Sequence, residues 1–208
     1  TLNGGDGDDS IISGGGNDVI NGGAGNDTVN MDSGLTIQDT VVGGAGTDML
    51  IIDVAATAAT ASTNVSGFET LSLAAGAGVT QSMAVFAANT TFTTIDTATD
   101  QDYVVTNALD NVSTLTSSFD GVNSITFSRL VDGASNSLSV VADDTAAGTN
   151  EGATTIDTLV VSDEETLTLT SGSNAAEILT IGALTAADLT TLTLTGTANN
   201  IVTGAITS

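Results

Sequence analysis

The sequence predicts an all-β chain, with a parallel β-roll over residues 1–52 that continues into a Thr/Ala/Val-rich β-solenoid over residues 53–208. Three observations predict it. Residues 4–51 repeat a nine-residue phrase with a large aliphatic at its eighth position. Short β-branched runs recur from Val65 onward, separated by Asp, Asn, Gly and Ser. Aromatic residues are 3% of the chain and Trp is absent, which suits a narrow interior lined by Val, Ile, Leu and Ala. A β-sandwich is the alternative for the second part, because many short strands fit either architecture. Thr and Val ladders that stack rung on rung, with no Asn-Gly dipeptide after Asp53, favour the solenoid.

The repeated phrase is G-G-x-G-x-D-x-U-x, with U aliphatic. It runs through Gly4–Ile12, Ser13–Asn21, Gly22–Asn30 and Gly43–Ile51. Gly34–Val42 keeps the phase, with Asp39 and Val41 in their slots, but it has lost its interior glycines and follows the insert Met31-Asp32-Ser33. Thr1-Leu2-Asn3 reads as the tail of a preceding copy, so the chain is expected to be a piece of a longer one.

Each residue type has a task. The glycines permit left-handed backbone and close approach of one turn to the next. The aliphatics Leu2, Ile11, Ile20, Val29, Val41 and Leu50 point inward. One nonapeptide is a turn plus a strand, so two complete a coil, and equivalent turns lie two repeats apart. That stacks Asp9, Asp27 and Asp48 along one edge, and Asp18 and Asp39 along the other.

Carboxylates held that close repel unless cations lie between them. Hard divalent ions with six to eight oxygen ligands fit, and the loop oxygens of Gly5, Gly7, Gly22, Ala24, Asn26, Gly43 and Ala45 are expected to complete the sites. With neither Cys nor His, softer metals have no ligands, so several calcium ions are expected. A flexible Gly/Asn/Asp linker would not keep phase with an aliphatic at every ninth residue.

The formal net charge is −24, and Arg129 is the only cation among the 208 residues. A compact fold so charged repels itself, which bound cations would offset. The basic footprint of a nucleic-acid binder is missing. No stretch reaches the roughly 18 apolar residues of a spanning helix.

Along the second part, Val65 to Leu73 alternates as one strand, and Ser82 to Asn89 reads as a short helix. Further strands are expected at Phe92–Ile95, Tyr103–Val105, Ser124–Phe127, Ser137–Val141, Thr158–Val161, Thr166–Leu169, Ile178–Ile181 and Thr191–Leu194. Ala186 to Leu189 reads as one helical turn.

The nonapeptides resemble the RTX repeat of secreted bacterial proteins, which implies a calcium-bound parallel β-roll. More widely, Phe68-Glu69-Thr70-Leu71-Ser72-Leu73, Phe92-Thr93-Thr94-Ile95-Asp96 and Leu189-Thr190-Thr191-Leu192-Thr193-Leu194-Thr195-Gly196 resemble phrases of RTX-type surface-layer proteins of the Caulobacter kind. That resemblance implies type I secretion and a calcium-dependent two-dimensional lattice on the cell surface, in which the chain contacts copies of itself. It also implies anchoring to cell-surface polysaccharide through a part of the parent chain not present here. A calcium-stiffened segment of a large adhesin, or the accessory roll of an exported hydrolase, are the competing readings.

Catalysis finds little to work with. His, Lys and Cys are missing, so acyl transfer has no base beside a nucleophile, and no enzymatic activity is expected. The acidic groups Asp8/Asp9, Asp143/Asp144 and Asp163/Glu164/Glu165 read first as solvated turns and second as further calcium ligands. Asp96, Asp100 and Asp102 are spaced for another calcium site, with a polar turn as the alternative. Arg129 is expected in a surface salt bridge or a lattice contact. Sequons at Asn26, Asn64, Asn89 and Asn111 are expected by chance in so Asn- and Thr-rich a chain.

Overall fold

The computed structural model describes residues 1–32, 34–53, 55, 64–74, 79–86, 91–98, 101–117, 122–142, 153–172 and 178–207. Its strands follow the chain in order. The roll contains β1 (Leu2–Asp6), β2 (Ser10–Ile12), β3 (Val19–Ala24), β4 (Thr28–Met31), β5 (Thr40–Ala45) and β6 (Met49–Ile52). Next come β7 (Val65–Ser66), β8 (Thr70–Leu73), β9 (Val79–Ser82), β10 (Thr94–Thr97), β11 (Tyr103–Ala108), β12 (Thr114–Ser117) and β13 (Val122–Arg129). The last are β14 (Ser137–Ala142), β15 (Thr154–Val161), β16 (Thr166–Thr170), β17 (Leu179–Thr185), β18 (Thr191–Thr195), β19 (Asn200–Val202) and β20 (Ile206–Thr207).

Among the described residues the strand pairs are parallel and, apart from β17 with β20, join a strand to the next but one, the signature of a solenoid rather than a sandwich. The even strands form a single nine-stranded sheet from β2 to β18. The odd strands form a four-stranded sheet, β1 to β7, and a seven-stranded sheet from β9 to β19. β6 and β8 pair directly, so one sheet runs from the glycine repeats into the Thr-rich part.

The repeat's aliphatic slot builds the interior. Ile11, Val29, Leu50, Leu71, Ile95, Leu115 and Val140 stand in register down the nine-stranded sheet. Leu2, Ile20, Val41 and Val65 do the same on the opposite face. Leu50, Leu71 and Leu115 are fully buried, each worth about 1.5–3 kcal/mol relative to exposure.

Coils are wider beyond the first, which takes 18 residues from Ser10 to Thr28; later steps along the nine-stranded sheet vary from 20, between Thr94 and Thr114, to 29, between Ser137 and Thr166. Larger perimeters enclose more volume, and that is where the rings sit. Phe68, Phe86, Phe92, Tyr103 and Phe127 are all buried, and Phe86 meets Phe92 edge to face at 5.4 Å.

Several expectations shift. The run Val65 to Leu73 is two strands rather than one, broken where Gly67 takes φ 69° and turns the corner between the sheets. The helix expected at Ser82 to Asn89 is a short 3-10 turn over Met83–Phe86, and Ala87 to Asn89 lie outside the described residues. Ala186 to Leu189 is a single hydrogen-bonded turn, Leu189 N–H to Ala186 O, not a helix. Among the described residues no helix is long and apolar enough to cross a membrane.

Arg129 departs furthest from expectation. It is buried inside the solenoid, not on a surface, and its Nε donates to Glu164 Oε1 at 2.6 Å. Its remaining N–H groups go to Glu164 Oε2 and to the carbonyls of Leu109, Val112 and Ser137. The guanidinium carbon lies 5.3 Å from the Phe127 ring centroid. The neighbouring acids are also structural, not solvated turns, since Asp163 accepts the Arg129 N–H and Glu165 accepts the Asn136 N–H. Burial pushes the Glu164 carboxyl up more than Arg129 pulls it down. Glu164→Ala should therefore lower stability by about 3–5 kcal/mol, because it strands a buried charge. Arg129→Met combined with Glu164→Leu should cost much less. Urea titration checks this, and equal losses in the single and double variants would contradict it.

Candidate metal centre

The glycine-rich turns sit at the two edges where the sheets meet. One edge carries the corners 7–9, 25–27 and 46–48, followed by Gly67-Phe68-Glu69. Within these corners position two and position four of the phrase take positive φ, as at Gly23 (120°) and Gly25 (132°). Position one is glycine for another reason. A Cβ at Gly22 would overlap Asp27 Oδ2 and the Gly43 carbonyl oxygen of the next coil. Gly4 stands in the same relation to Asp9 Oδ2 and the Gly22 carbonyl.

The acidic column has the expected register. Asp9 N–H donates to Asp27 Oδ1 at 2.9 Å, and Asp27 N–H donates to Asp48 Oδ1 at 2.8 Å. The column then continues past the repeats, as Asp48 N–H donates to Glu69 Oε2 at 2.8 Å. Each carboxylate thus reaches back to the preceding coil, in a charge-assisted bond of about 1.5–3 kcal/mol. One residue earlier the clasp runs forward: Asn26 N–H donates to Asp8 Oδ1, and Thr47 N–H to Asn26 Oδ1.

These bonds use only one oxygen each of Asp27 and Asp48, and none of Asp9. Asp9 Oδ2, Asp27 Oδ2 and Asp48 Oδ2 are buried and have no hydrogen-bond partner. A buried carboxylate oxygen left unpaired costs at least about 1–3 kcal/mol, and more when charged. Three such atoms in one column, each beside a carbonyl oxygen of the next coil, form seats made of oxygen alone. That donor set fits calcium. Among the described residues no three His, Cys, Asp or Glu side chains converge. Any seat therefore holds one or two carboxylates, with carbonyl and water oxygens as the remainder.

The other edge is built differently. Asp18 N–H donates to Asp39 Oδ1 at 2.7 Å, so these two also stack. Yet Asp39 Oδ2 accepts the Thr36 N–H at 2.7 Å, which leaves no uncommitted oxygen on that side chain. The copy without interior glycines closes on itself. The carbonyls of Ala24 and Ala45 accept the N–H groups of Gly7 and Gly25, while Gly5 pairs in register with Gly23.

Two acids spaced for a further site make other contacts. Asp96 is buried and accepts from Ser72, and Asp102 accepts the Ser124 N–H. Asp100, Asp143 and Asp144 lie outside the described residues. Sequence reasoning missed the parts played by Gly4, Gly67 and Glu69. Glu69 carries the clearest signal, because it lies 21 residues beyond Asp48, the same step as from Asp27 to Asp48.

Residues 1–29 and 38–51 match the family model of the RTX calcium-binding nonapeptide repeat, in four copies. Repeats of this kind bind calcium and are typical of secreted proteins. No curated protein and no solved structure matches the chain.

Burial raises the Asp48 carboxyl above its ordinary value of 3.8; the Asp27 N–H pulls it partly back, and the charges of Asp27 and Glu69 raise it again. Without metal, the folded chain then holds this proton to higher pH than the unfolded one. The associated stability is complete below about 3.8 and is lost as pH rises through the folded value. Calcium has to displace that proton, so the calcium midpoint for folding, read by circular dichroism, should rise as the pH is lowered from 7 towards 3.8.

Proposed function

We propose that the chain is a non-enzymatic structural solenoid whose folding is gated by calcium, and that it serves as the lattice-forming part of a secreted surface-layer protein. The observation that carries the calcium part is the row of buried, unpartnered Oδ2 atoms on Asp9, Asp27 and Asp48. Calcium would supply positive charge there. The Oδ2 atoms of Asp9, Asp27 and Asp48, with the carbonyls of Gly22 and Gly43, would coordinate it.

The chain's own contribution is preorganisation. The position-one glycines bring adjacent coils within reach, and the Oδ1 clasps fix the Asp27 and Asp48 carboxylates so that Oδ2 faces the gap. Where calcium is scarce the column repels and the repeats stay unfolded. Calcium at the level extracellular modules require, about 10⁻⁴–10⁻³ M, lets binding free energy act as folding free energy.

The lattice role is supported by the surface-layer phrases in residues 68–73, 92–96 and 189–196. The partner in that role is another copy of the chain, and attachment to cell-surface polysaccharide belongs to another part of the parent protein. One uninterrupted nine-stranded sheet also favours a second reading, a stiff spacer within an adhesin.

Electron microscopy with calcium separates the two, since ordered sheets support the coat and isolated rods the spacer. Chelation should abolish β-structure in residues 1–52 and disperse any assembly, read by circular dichroism; an unchanged spectrum in excess chelator would sink the gating. Asp27→Ala removes a seat oxygen and a clasp together and should raise the calcium midpoint roughly 10–100-fold. Asp102→Ala, outside the column, should leave that midpoint in place.

A further inference from the structure

The row of free oxygens extends past the nonapeptides. Asp48 belongs to the last repeat, but what faces its Oδ2 does not. A Cβ at Gly43 would stand 2.7 Å from Asp48 Oδ2 and would also overlap the carbonyl oxygen of Gly67. Gly67 lies outside the residues that match the repeat family, as does Glu69. The same donor pair recurs in all three gaps: Asp9 Oδ2 with the Gly22 carbonyl, Asp27 Oδ2 with the Gly43 carbonyl, and Asp48 Oδ2 with the Gly67 carbonyl.

We propose that a hard divalent cation of the calcium class also seats at this seam, held by Asp48 of the last repeat and the Gly67 carbonyl of the first coil of the Thr-rich solenoid. Asp48 is 1% exposed, and its Oδ2 has no partner. An anionic oxygen so placed calls for a cation. Glu69 is the positioning residue. Its Oε2 accepts the Asp48 N–H at 2.8 Å and its Oε1 accepts the Thr91 hydroxyl at 3.0 Å. With both oxygens committed, Glu69 offers no further seat and closes the column.

The consequence is a coupling between the two parts of the chain. β8 is the strand that Gly67-Phe68-Glu69 leads into, and it pairs with β6 through Met49↔Thr70 and Leu50↔Leu71. In a solenoid each coil contacts only its neighbours, so stability passes from coil to coil. Occupancy of the seam then sets the order of the first Thr-rich coil, and calcium governs more of the chain than the repeats it was recognised by.

This inference rests on the calcium reading above, and the test separates the two. On the full chain, calcium is titrated while the carbonyl ¹³C resonances of Gly22, Gly43 and Gly67 are followed. All three are expected to move. Movement of Gly22 and Gly43 with Gly67 fixed would overturn the seam site and leave the repeat sites standing; immobility of all three would overturn the calcium reading itself. Asp48→Asn, which puts an amide where Oδ2 stood, should abolish the Gly67 shift and preserve that of Gly22. Glu69→Ala removes the oxygen that holds the Asp48 N–H and should raise the Gly67 midpoint roughly 10–100-fold, while Glu69→Gln, which keeps an oxygen there, should restore it. A Gly67 shift that survives Asp48→Asn unchanged would also overturn the proposal.

Discussion

Coils of a parallel solenoid stack at the strand spacing of about 4.8 Å, so any side chain at a given corner meets its equivalents on either side. For an aliphatic that repetition is favourable, and Ile11, Val29, Leu50 and Leu71 form a continuous buried column. For a carboxylate it is costly. Asp9, Asp27 and Asp48 occupy one such corner, and the chain around them is arranged to make the cost bearable.

Two devices act there. One oxygen each of Asp27 and Asp48 accepts a backbone N–H of the preceding coil, and the Oδ2 of all three aspartates is left free beside a carbonyl of the following coil. Glycine at position one makes that second arrangement possible, since any side chain would fill the gap. The opposite edge is closed differently. There Asp39, in the copy without interior glycines, turns its second oxygen onto the Thr36 N–H, so that corner is held by hydrogen bonds alone.

The wider coils solve a related problem with a charge of their own. Arg129, the lone basic residue, is placed inside, where Glu164 and three carbonyls saturate its donors. Asp163 and Glu165 clasp neighbouring amides from the same segment. A covalently supplied cation thus ties coils together in the half of the chain that lacks the glycine corners. The column of Asp9, Asp27 and Asp48 has no such residue.

The nine-residue period by itself determined the roll, the inward aliphatics and the pairing of Asp9 with Asp27 and Asp18 with Asp39, because a strict period in a coil fixes which residues stack. The Thr- and Val-rich runs likewise announced strands, and their solenoid stacking followed from ladder chemistry. The sequence did not reveal which oxygens stay free, since that depends on whether the next coil presents an N–H or a carbonyl to each carboxylate. Asp39 and Asp48 look alike in the repeat, yet one is consumed by Thr36 and the other faces Gly67 across a gap. Nor could spacing place Arg129, whose acceptors lie from 8 to 35 residues away and meet only when the coils close. Periodicity is a local property that the chain carries in its letters, whereas the partners of a buried charge are decided by neighbours that only the stacked fold brings together.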